Sequence, residues 1–236
     1  MQAEQFPVLM GDQIIIEEYF SHLRNRSFPC VAAREAVSRD KVTCFVADHL
    51  ACPYNDDQIL QFLYAFVDDY RASNNLYSSV AIIFKGPVEI NEDMFDTFLW
   101  NRLQAIADLD ADNYFFDKRV SPDPNASTFS FSIKEEAFYI IGLHAGSSRP
   151  SRRFKYPVLV FNPHEQFEKL RETPAYDKMK NIVRKRDITF SGSVNPMLED
   201  FGNASETFQY SGRKNDKQWQ CPLKIKHATT DNNSIT

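Results

Sequence analysis

The sequence predicts an α+β fold in a single domain, with one mainly antiparallel sheet, helices packed against it and an irregular C-terminal segment. The chain has 236 residues, which is enough to bury one large core. Segments with helical apolar periodicity stand beside short runs rich in β-branched and aromatic residues. We find no internal repeat and no domain linker. The prediction is therefore one domain over residues 1–228, followed by a disordered tail over 229–236.

The N-terminal half carries four predicted helices. Asp12 is expected to cap the first, which runs to about residue 25, and a short helix follows over 32–37. The strongest pattern covers 55–73, where apolar residues recur at steps of three and four. Asn91 is expected to cap the fourth helix, and the Asp-, Asn- and Pro-rich stretch 108–126 predicts a long surface loop.

Five strands are predicted between and after these helices. The run at 78–84 is apolar throughout, which is typical of an interior strand. Lys134, Glu135 and Glu136 separate two runs as a hairpin turn would. The predicted strands are residues 42–47, 78–84, 128–133, 137–143 and 157–161.

The segment after the last strand predicts a helix start. Asn162 is the expected N-cap, Pro163 the first helical residue, and Glu165 can reach back as in a capping box. This helix should run to about residue 172, and a basic helix is expected over 175–186. From Ile188 onward the chain is expected to be irregular.

Composition and charge exclude several classes of function. The net charge of −5 and the absence of a basic run argue against nucleic acid as a partner. No apolar run approaches the roughly 20 residues that cross a bilayer, and the N-terminus lacks the pattern of a signal peptide. Four cysteines without CxxC spacing then indicate reduced thiols and a cytoplasmic location; they are Cys30, Cys44, Cys52 and Cys221.

One candidate site follows the predicted strand 137–143. His144 ends this apolar strand, and the next residues are small and basic, with Arg149, Arg152 and Arg153 among them. A neutral imidazole binds heme iron, an apolar wall keeps the macrocycle dry, and arginines pair with propionates. Small residues such as Gly146 allow the backbone to approach a ligand. The alternative is a surface loop whose arginines are solvated.

Two other residues could ligate iron. His164 lies at a predicted helix start, where the helix dipole favours a neutral ring, although local capping also explains a histidine there. Cys30 precedes a short helix that would stabilise a thiolate, and its alternative role is that of a buried structural thiol. If strands 137–143 and 157–161 are antiparallel neighbours, His144 and His164 lie at opposite ends of the sheet. We therefore rank His144 first as the axial ligand.

Taken together, nine short segments resemble the YqcI/YcgG family. Each segment is weak evidence alone, but they occur in family order over roughly residues 26–223. The segments are Phe28-Pro29-Cys30, Phe84-Lys85-Gly86-Pro87, Leu99-Trp100-Asn101-Arg102-Leu103-Gln104, Phe129-Ser130-Phe131-Ser132-Ile133, Gly142-Leu143-His144 with the following small-residue and basic loop of residues 145–155 (the arginine loop), Phe161-Asn162-Pro163-His164-Glu165-Gln166-Phe167-Glu168, Gly192-Ser193-Val194-Asn195-Pro196, Gln209-Tyr210-Ser211-Gly212-Arg213 and Cys221-Pro222.

The resemblance implies a heme-dependent enzyme that hydroxylates a guanidino or related nitrogen. It implies heme b, dioxygen or peroxide as the oxidant, and a small guanidino or amine substrate such as arginine. A carboxylate would hold a guanidinium, and side-chain amides would add hydrogen bonds. The candidates for these two roles are Glu165, Glu168 and Glu206, and Gln166, Asn195 and Gln209.

Partners and alternative functions follow from the same residues. The chain has no nicotinamide or flavin fingerprint, so a reductase would supply electrons unless the oxidant is peroxide. A second copy of the chain, as a homodimer, is a further candidate partner. One alternative function is a non-catalytic heme-binding or heme-sensing protein. Another is a module that binds phosphate through Arg149, Arg152 and Arg153.

Overall fold

A computed structural model describes residues 9–73, 75–173, 175–193, 202–216 and 218–226. The predicted tail over 229–236 lies outside these residues, and so does Asn195. The helices in the described part are α1 (Met10–Arg24), α2 (Val31–Ser38), α3 (Asp56–Ser73), α4 (Glu92–Ala111), α5 (His164–Arg171) and α6 (Ala175–Ser191). The strands are β1 (Val42–His49), β2 (Ser79–Gly86), β3 (Phe131–Ile133), β4 (Glu136–Leu143) and β5 (Val158–Pro163).

The five strands form one sheet in the order β1-β2-β5-β4-β3. The pair β1 and β2 is parallel, and the other three pairs are antiparallel. The predicted α+β class with a mainly antiparallel sheet is therefore confirmed. β2 has neighbours on both edges and is buried over its first six residues, as its apolar sequence predicted.

Helices cover both faces of the sheet. Alternate residues of β2 explain this arrangement, because Ile82 points into the core beneath α3 and α4, whereas Ile83 points into the core beneath α1 and α2. The first core also contains Tyr210 from the C-terminal segment. The helices α5 and α6 lie on the α1 and α2 side, where they help to enclose a cavity.

Two predicted helix caps are wrong. α1 begins at Met10 after Leu9, which makes no side-chain cap hydrogen bond, and Asp12 lies in the first turn. β5 continues through Pro163, so Asn162 is a strand residue, and α5 begins directly at His164. The Asn162 side chain instead accepts a hydrogen bond from Ser79 Oγ at 3.0 Å and binds neighbouring strands together. By contrast, Asn91 caps α4 as predicted and accepts from the N–H of Met94.

Several elements end at residues other than the predicted ones. α4 continues to Ala111, into the stretch predicted as a loop, and α6 continues to Ser191. β3 is limited to Phe131–Ile133, whereas the prediction began at residue 128. None of the described helices combines the length and apolar character that a bilayer crossing requires.

Candidate functional site

A cavity of about 330 Å³ lies between the sheet and the helices α1, α2, α5 and α6. This volume is near the lower end of the roughly 300–1,000 Å³ typical of small-molecule sites. Side chains of β4 and β5 form its floor, and helical residues form its walls. The apolar lining includes Tyr19, Leu23, Phe28, Ile141, Leu143, Val160, Phe167, Leu170 and Val183.

The charged residues that line the cavity are mostly cationic. They are Arg149, Arg152, Arg171, Lys180 and Arg184, with Asp187 as the carboxylate. Arg149 forms an ion pair with Asp187 and donates to the carbonyl of Ser193 at 2.6 Å. Arg152 donates at 3.1 Å to the carbonyls of Gly142 and Gln209, and its burial lowers its pKa to about 10. An anionic group on a bound ligand would reduce the cost of holding these charges together.

Buried polar atoms in the cavity lining without a hydrogen-bond partner among the described residues include the Oε1 of Gln166 and the Nε of Arg184. Gln166 is held by its amide nitrogen, which donates to the carbonyl of Ser78 at 2.9 Å. Because buried polar groups are rarely left unsatisfied, these atoms indicate a ligand with both a donor and an acceptor.

Cys30 places a thiol in the cavity wall at the start of α2. Its Sγ is the N-cap group of this helix and accepts from the N–H of Ala33 at 3.4 Å. Burial raises the pKa of the thiol, although the α2 backbone N–H groups and Arg152 lower it. The sequence prediction that this thiol stands at a helix N-terminus is confirmed by its geometry. The chemistry expected of it stays a prediction.

His164 lines the same cavity and belongs to a buried hydrogen-bond network. Its Nδ1 lies 3.3 Å from Ser130 Oγ, and its Nε2 lies 3.0 Å from Glu168 Oε1. Burial lowers the pKa of the ring, and the charge of Glu168 opposes that effect. Burial thus favours the neutral imidazole that was expected from the helix dipole.

Glu206 extends this network into the core. Its Oε1 accepts from Ser130 Oγ at 2.9 Å and from the hydroxyl of Tyr210. Its Oε2 is buried and has no hydrogen-bond partner among the described residues. Burial raises the pKa of this carboxyl group to about 8. Glu206 does not line the cavity. The structure therefore does not place it where it could hold a substrate guanidinium, the role for which the sequence made it a candidate.

His144 lies on the other side of the sheet. Its ring stacks on Phe95 of α4 with centroids 4.2 Å apart, and it is 1% exposed. Burial lowers its pKa to about 4, and its Nδ1 has no partner in the described part of the chain. Since β4 and β5 are antiparallel, His144 and His164 lie at opposite ends of the pair, as predicted. The cavity therefore contains His164 and Cys30, but not His144.

The three arginines of the arginine loop differ in whether they line the cavity. Arg149 and Arg152 line the cavity, whereas Arg153 lies outside it and donates to the carbonyl of Ser147 at 2.6 Å. Gly146 does not provide the expected approach to a ligand. A Cβ atom there would lie 2.0 Å from the carbonyl oxygen of Ile90, so its small size serves internal packing.

The positions of Ser130 and Arg184 in this site were not predicted from the sequence. Ser130 is fully buried between two phenylalanines, and a hydroxyl inside such an apolar run is the signal that it has a polar partner. Arg184 lies on a basic helix, where helical spacing alone does not separate it from solvated neighbours.

Among the amide candidates, Gln166 and Gln209 line the cavity. Glu165 lies at the surface and pairs with Lys169 at 3.0 Å.

The fold and the cavity define an α+β protein with a largely apolar cavity that is also lined by cationic side chains. The model of the YqcI/YcgG family matches residues 19–224, and the chain belongs to that family. It is 27% identical over 214 residues to the uncharacterized protein YqcI of Bacillus subtilis strain 168, covering 86% of this chain and 84% of that protein. It is 23% identical to the uncharacterized protein YcgG of the same strain, covering 84% and 81%. No solved structure gives a significant match.

Proposed function

We propose that this chain is a heme-dependent N-oxygenase, which inserts one oxygen atom at a guanidino or amine nitrogen of a small substrate such as arginine. The observation that carries the proposal is the cavity, where a thiol, an imidazole and several cations meet an apolar wall. The activity implied by the family resemblance points in the same direction. These side chains fit heme b, because thiolate and imidazole are both axial ligands of heme iron and cations pair with the heme propionates.

Cys30 is the axial ligand that we favour over His144 and His164. His144 does not line the cavity, and both ring nitrogens of His164 already have hydrogen-bond partners. The Cys30 sulfur accepts a backbone N–H at the start of α2, and this hydrogen bond together with the charge of Arg152 opposes the burial that raises the pKa of the thiol. Arg149, Arg152 and Arg184 are the cavity cations that we assign to the propionates.

Heme, when bound, would supply the oxygen-activating chemistry, with electrons from a reductase or with peroxide as the oxidant. The protein's part is to bind and orient the substrate nitrogen. Gln166 Oε1 is an unpaired acceptor suited to an N–H group of the substrate. Leu23, Phe28 and Leu143 are among the apolar side chains that line the cavity. The unpaired Nε of Arg184 provides a donor for an anionic group.

Hemin titration followed by absorption spectroscopy tests the cofactor. We expect saturation at about one heme per chain, a large spectral change in Cys30→Ser, and a nearly unchanged spectrum in His144→Ala. The latter variant should lose about 3–5 kcal/mol of stability, since it removes a buried ring that stacks on Phe95. Non-saturating binding would contradict the proposal. A spectrum altered by His164→Ala alone would move the ligand to His164.

Mass spectrometry tests the reaction. Heme-loaded protein is incubated with guanidino compounds and amines, either with a reductant and oxygen or with peroxide. We expect one substrate to gain a single oxygen atom. Tight heme binding without any oxygenated product would instead favour a non-catalytic heme-binding or heme-sensing protein.

The observation that favours this second candidate function is that Cys30 and His164 line the same cavity, so two strong protein ligands are available. A low-spin resting spectrum with two protein ligands would support it.

A further inference from the structure

The helix α6 lies between the cavity and the surface of the molecule. The side chains of its inner face line the cavity, and they are Met179, Lys180, Val183, Arg184 and Asp187. Its other face is exposed along a stripe with helical spacing, which consists of Lys178, Asn181, Ile182, Lys185, Ile188 and Thr189. We call these six residues the outer stripe of α6.

The outer stripe combines apolar and cationic side chains. Ile182 is 40% exposed and Ile188 is 48% exposed, so the two isoleucines share one surface of the helix. Lys178 and Lys185 are exposed on the same stripe and alternate with them. Because protein–protein contacts combine an apolar centre with a polar rim, this composition suits a small docking surface.

The two sides of the sheet carry charges of opposite sign. The α6 sequence holds five cationic residues against two aspartates, namely Lys178, Lys180, Arg184, Lys185 and Arg186 against Asp177 and Asp187. On the opposite side of the sheet, α4 holds five carboxylates against one arginine, namely Glu92, Asp93, Asp96, Asp108 and Asp110 against Arg102. An acidic protein is therefore attracted to α6 and repelled from α4, which orients it before contact.

We propose that the outer stripe of α6 is the docking surface for a small acidic electron-transfer protein. Its use in catalysis rests on the proposed function. Insertion of one atom of dioxygen into a substrate, with reduction of the other atom to water, consumes two electrons and two protons. Each docked donor loses one electron from its iron–sulfur cluster or flavin, and the heme iron gains that electron. Two docking events supply the pair of electrons, and solvent supplies the protons.

The position of the stripe suits this role. Arg184, which we assign to a heme propionate, is adjacent in sequence to Lys185 but lies on the inner face of the helix. A docked donor would therefore be separated from the cavity by a single helix. α6 has 17 residues and a length of about 25 Å, which fits the interfaces below about 1,200 Å² that are typical of brief electron-transfer encounters.

The charge of the stripe favours such a donor over a second copy of the chain. A two-fold symmetric contact through α6 would place Lys178 and Lys185 of one protomer close to the same lysines of its partner. Like charges across an interface repel each other, whereas an acidic donor places carboxylates against both lysines.

Surface plasmon resonance of the full chain over two immobilised probes, an acidic [2Fe–2S] ferredoxin and a flavodoxin, tests the docking surface. We expect saturable binding to at least one probe, with an affinity that falls as salt is added. Lys178→Glu combined with Lys185→Glu should weaken this binding at least about tenfold, because two attractions become repulsions.

Lys118→Glu combined with Lys226→Glu is the matched control, since it makes the same change in net charge at two exposed lysines. Lys226 pairs with Asp108 of α4, and Lys118 follows Phe116, which packs against the core beneath α3 and α4. This pair should leave the affinity nearly unchanged. Equal losses in the two pairs would show an effect of net charge alone and would overturn the docking surface.

The remaining outcomes separate docking from oxygenation. Lys178 and Lys185 do not line the cavity, so their reversal should preserve oxygenation driven by peroxide and reduce oxygenation driven by the bound probe. Absence of binding to both probes would overturn the proposal, and so would an affinity that the lysine reversals do not change. Because binding is measured without turnover, failure of the oxygenation assay would contradict the proposed function and not the docking surface.

Discussion

Glu206 and His144 carry ordinary titratable side chains whose behaviour is set by burial. Their residue types were visible in the sequence, but desolvation depends on distant segments that close over them. Glu206 is covered by contacts to Ser130 and Tyr210, and His144 by the ring of Phe95. The sequence therefore identified histidines and carboxylates as candidates. It could not tell which would line the cavity, because that depends on which face of β4 or β5 a residue occupies.

Glu206 should make stability depend on pH. Its pKa is about 8 in the folded chain against 4.5 for the free side chain, so the folded state holds the proton more tightly. The contribution is fully present below about pH 4.5 and is lost as the pH rises toward 8. We expect the unfolding free energy of the wild type to fall by a few kcal/mol over this range relative to Glu206→Gln, as measured by urea denaturation.

The same measurement on Glu172→Gln provides the control, because Glu172 is an exposed carboxylate. Parallel pH profiles for wild type and Glu206→Gln would show that Glu206 is ionised in the folded protein.

At the level of elements, periodicity predicted the existence of helices and strands better than their ends. The turn between β3 and β4 was predicted at Lys134, Glu135 and Glu136. The structure shortens it to Lys134 and Glu135, which both adopt positive φ angles, because Glu136 belongs to β4. The end of β5 was missed because Asn162 and Pro163 are also typical of a helix start. In the folded chain Asn162 binds Ser79 across the sheet, a tertiary contact that local pattern does not contain.

Gly142 is the position in β4 where packing leaves no room for a side chain. A Cβ atom would lie 2.6 Å from Phe95 and 2.8 Å from the carbonyl oxygen of Tyr210. Gly142→Ala should therefore cost about 1–3 kcal/mol of stability in urea denaturation. The matched change Gly11→Ala, in α1, meets no atom within 4 Å and should stabilise by roughly 0.5–1 kcal/mol. Equal effects of the two changes would contradict this packing argument.

At the scale of the whole molecule, the charge of the cavity differs from that of the chain. The net charge is −5, yet the described lining holds five cationic side chains and one carboxylate. The composition did not indicate a cationic cavity, because its cationic side chains come from three separate segments, the arginine loop, α5 and α6. The arginine loop was recognised from sequence, and the contribution of α6 was not, since a basic helix is usually a solvated surface.

The cationic lining predicts discrimination between charged and neutral forms of one ligand. Hemin should bind at least about tenfold more tightly than its neutral dimethyl ester, because charge-assisted hydrogen bonds contribute roughly 1.5–3 kcal/mol. Arg184→Met should reduce this ratio, while Lys226→Met, a change of an exposed cation, should leave it unchanged. The measurement is competitive titration by absorption spectroscopy, and equal affinities for hemin and ester would show that the arginines do not bind the propionates.

The alternation of β4 has a consequence for how this protein can diverge. Tyr139, Ile141 and Leu143 face the cavity, whereas Phe138 and Ile140 belong to the core beneath α3 and α4. One strand thus carries two independent sets of constraints, one from the cavity and one from core packing. Mutation of the odd-numbered set can alter ligand selectivity while the opposite core stays intact. Ancestral or laboratory evolution of a new specificity therefore has a short route through alternate codons of a single segment.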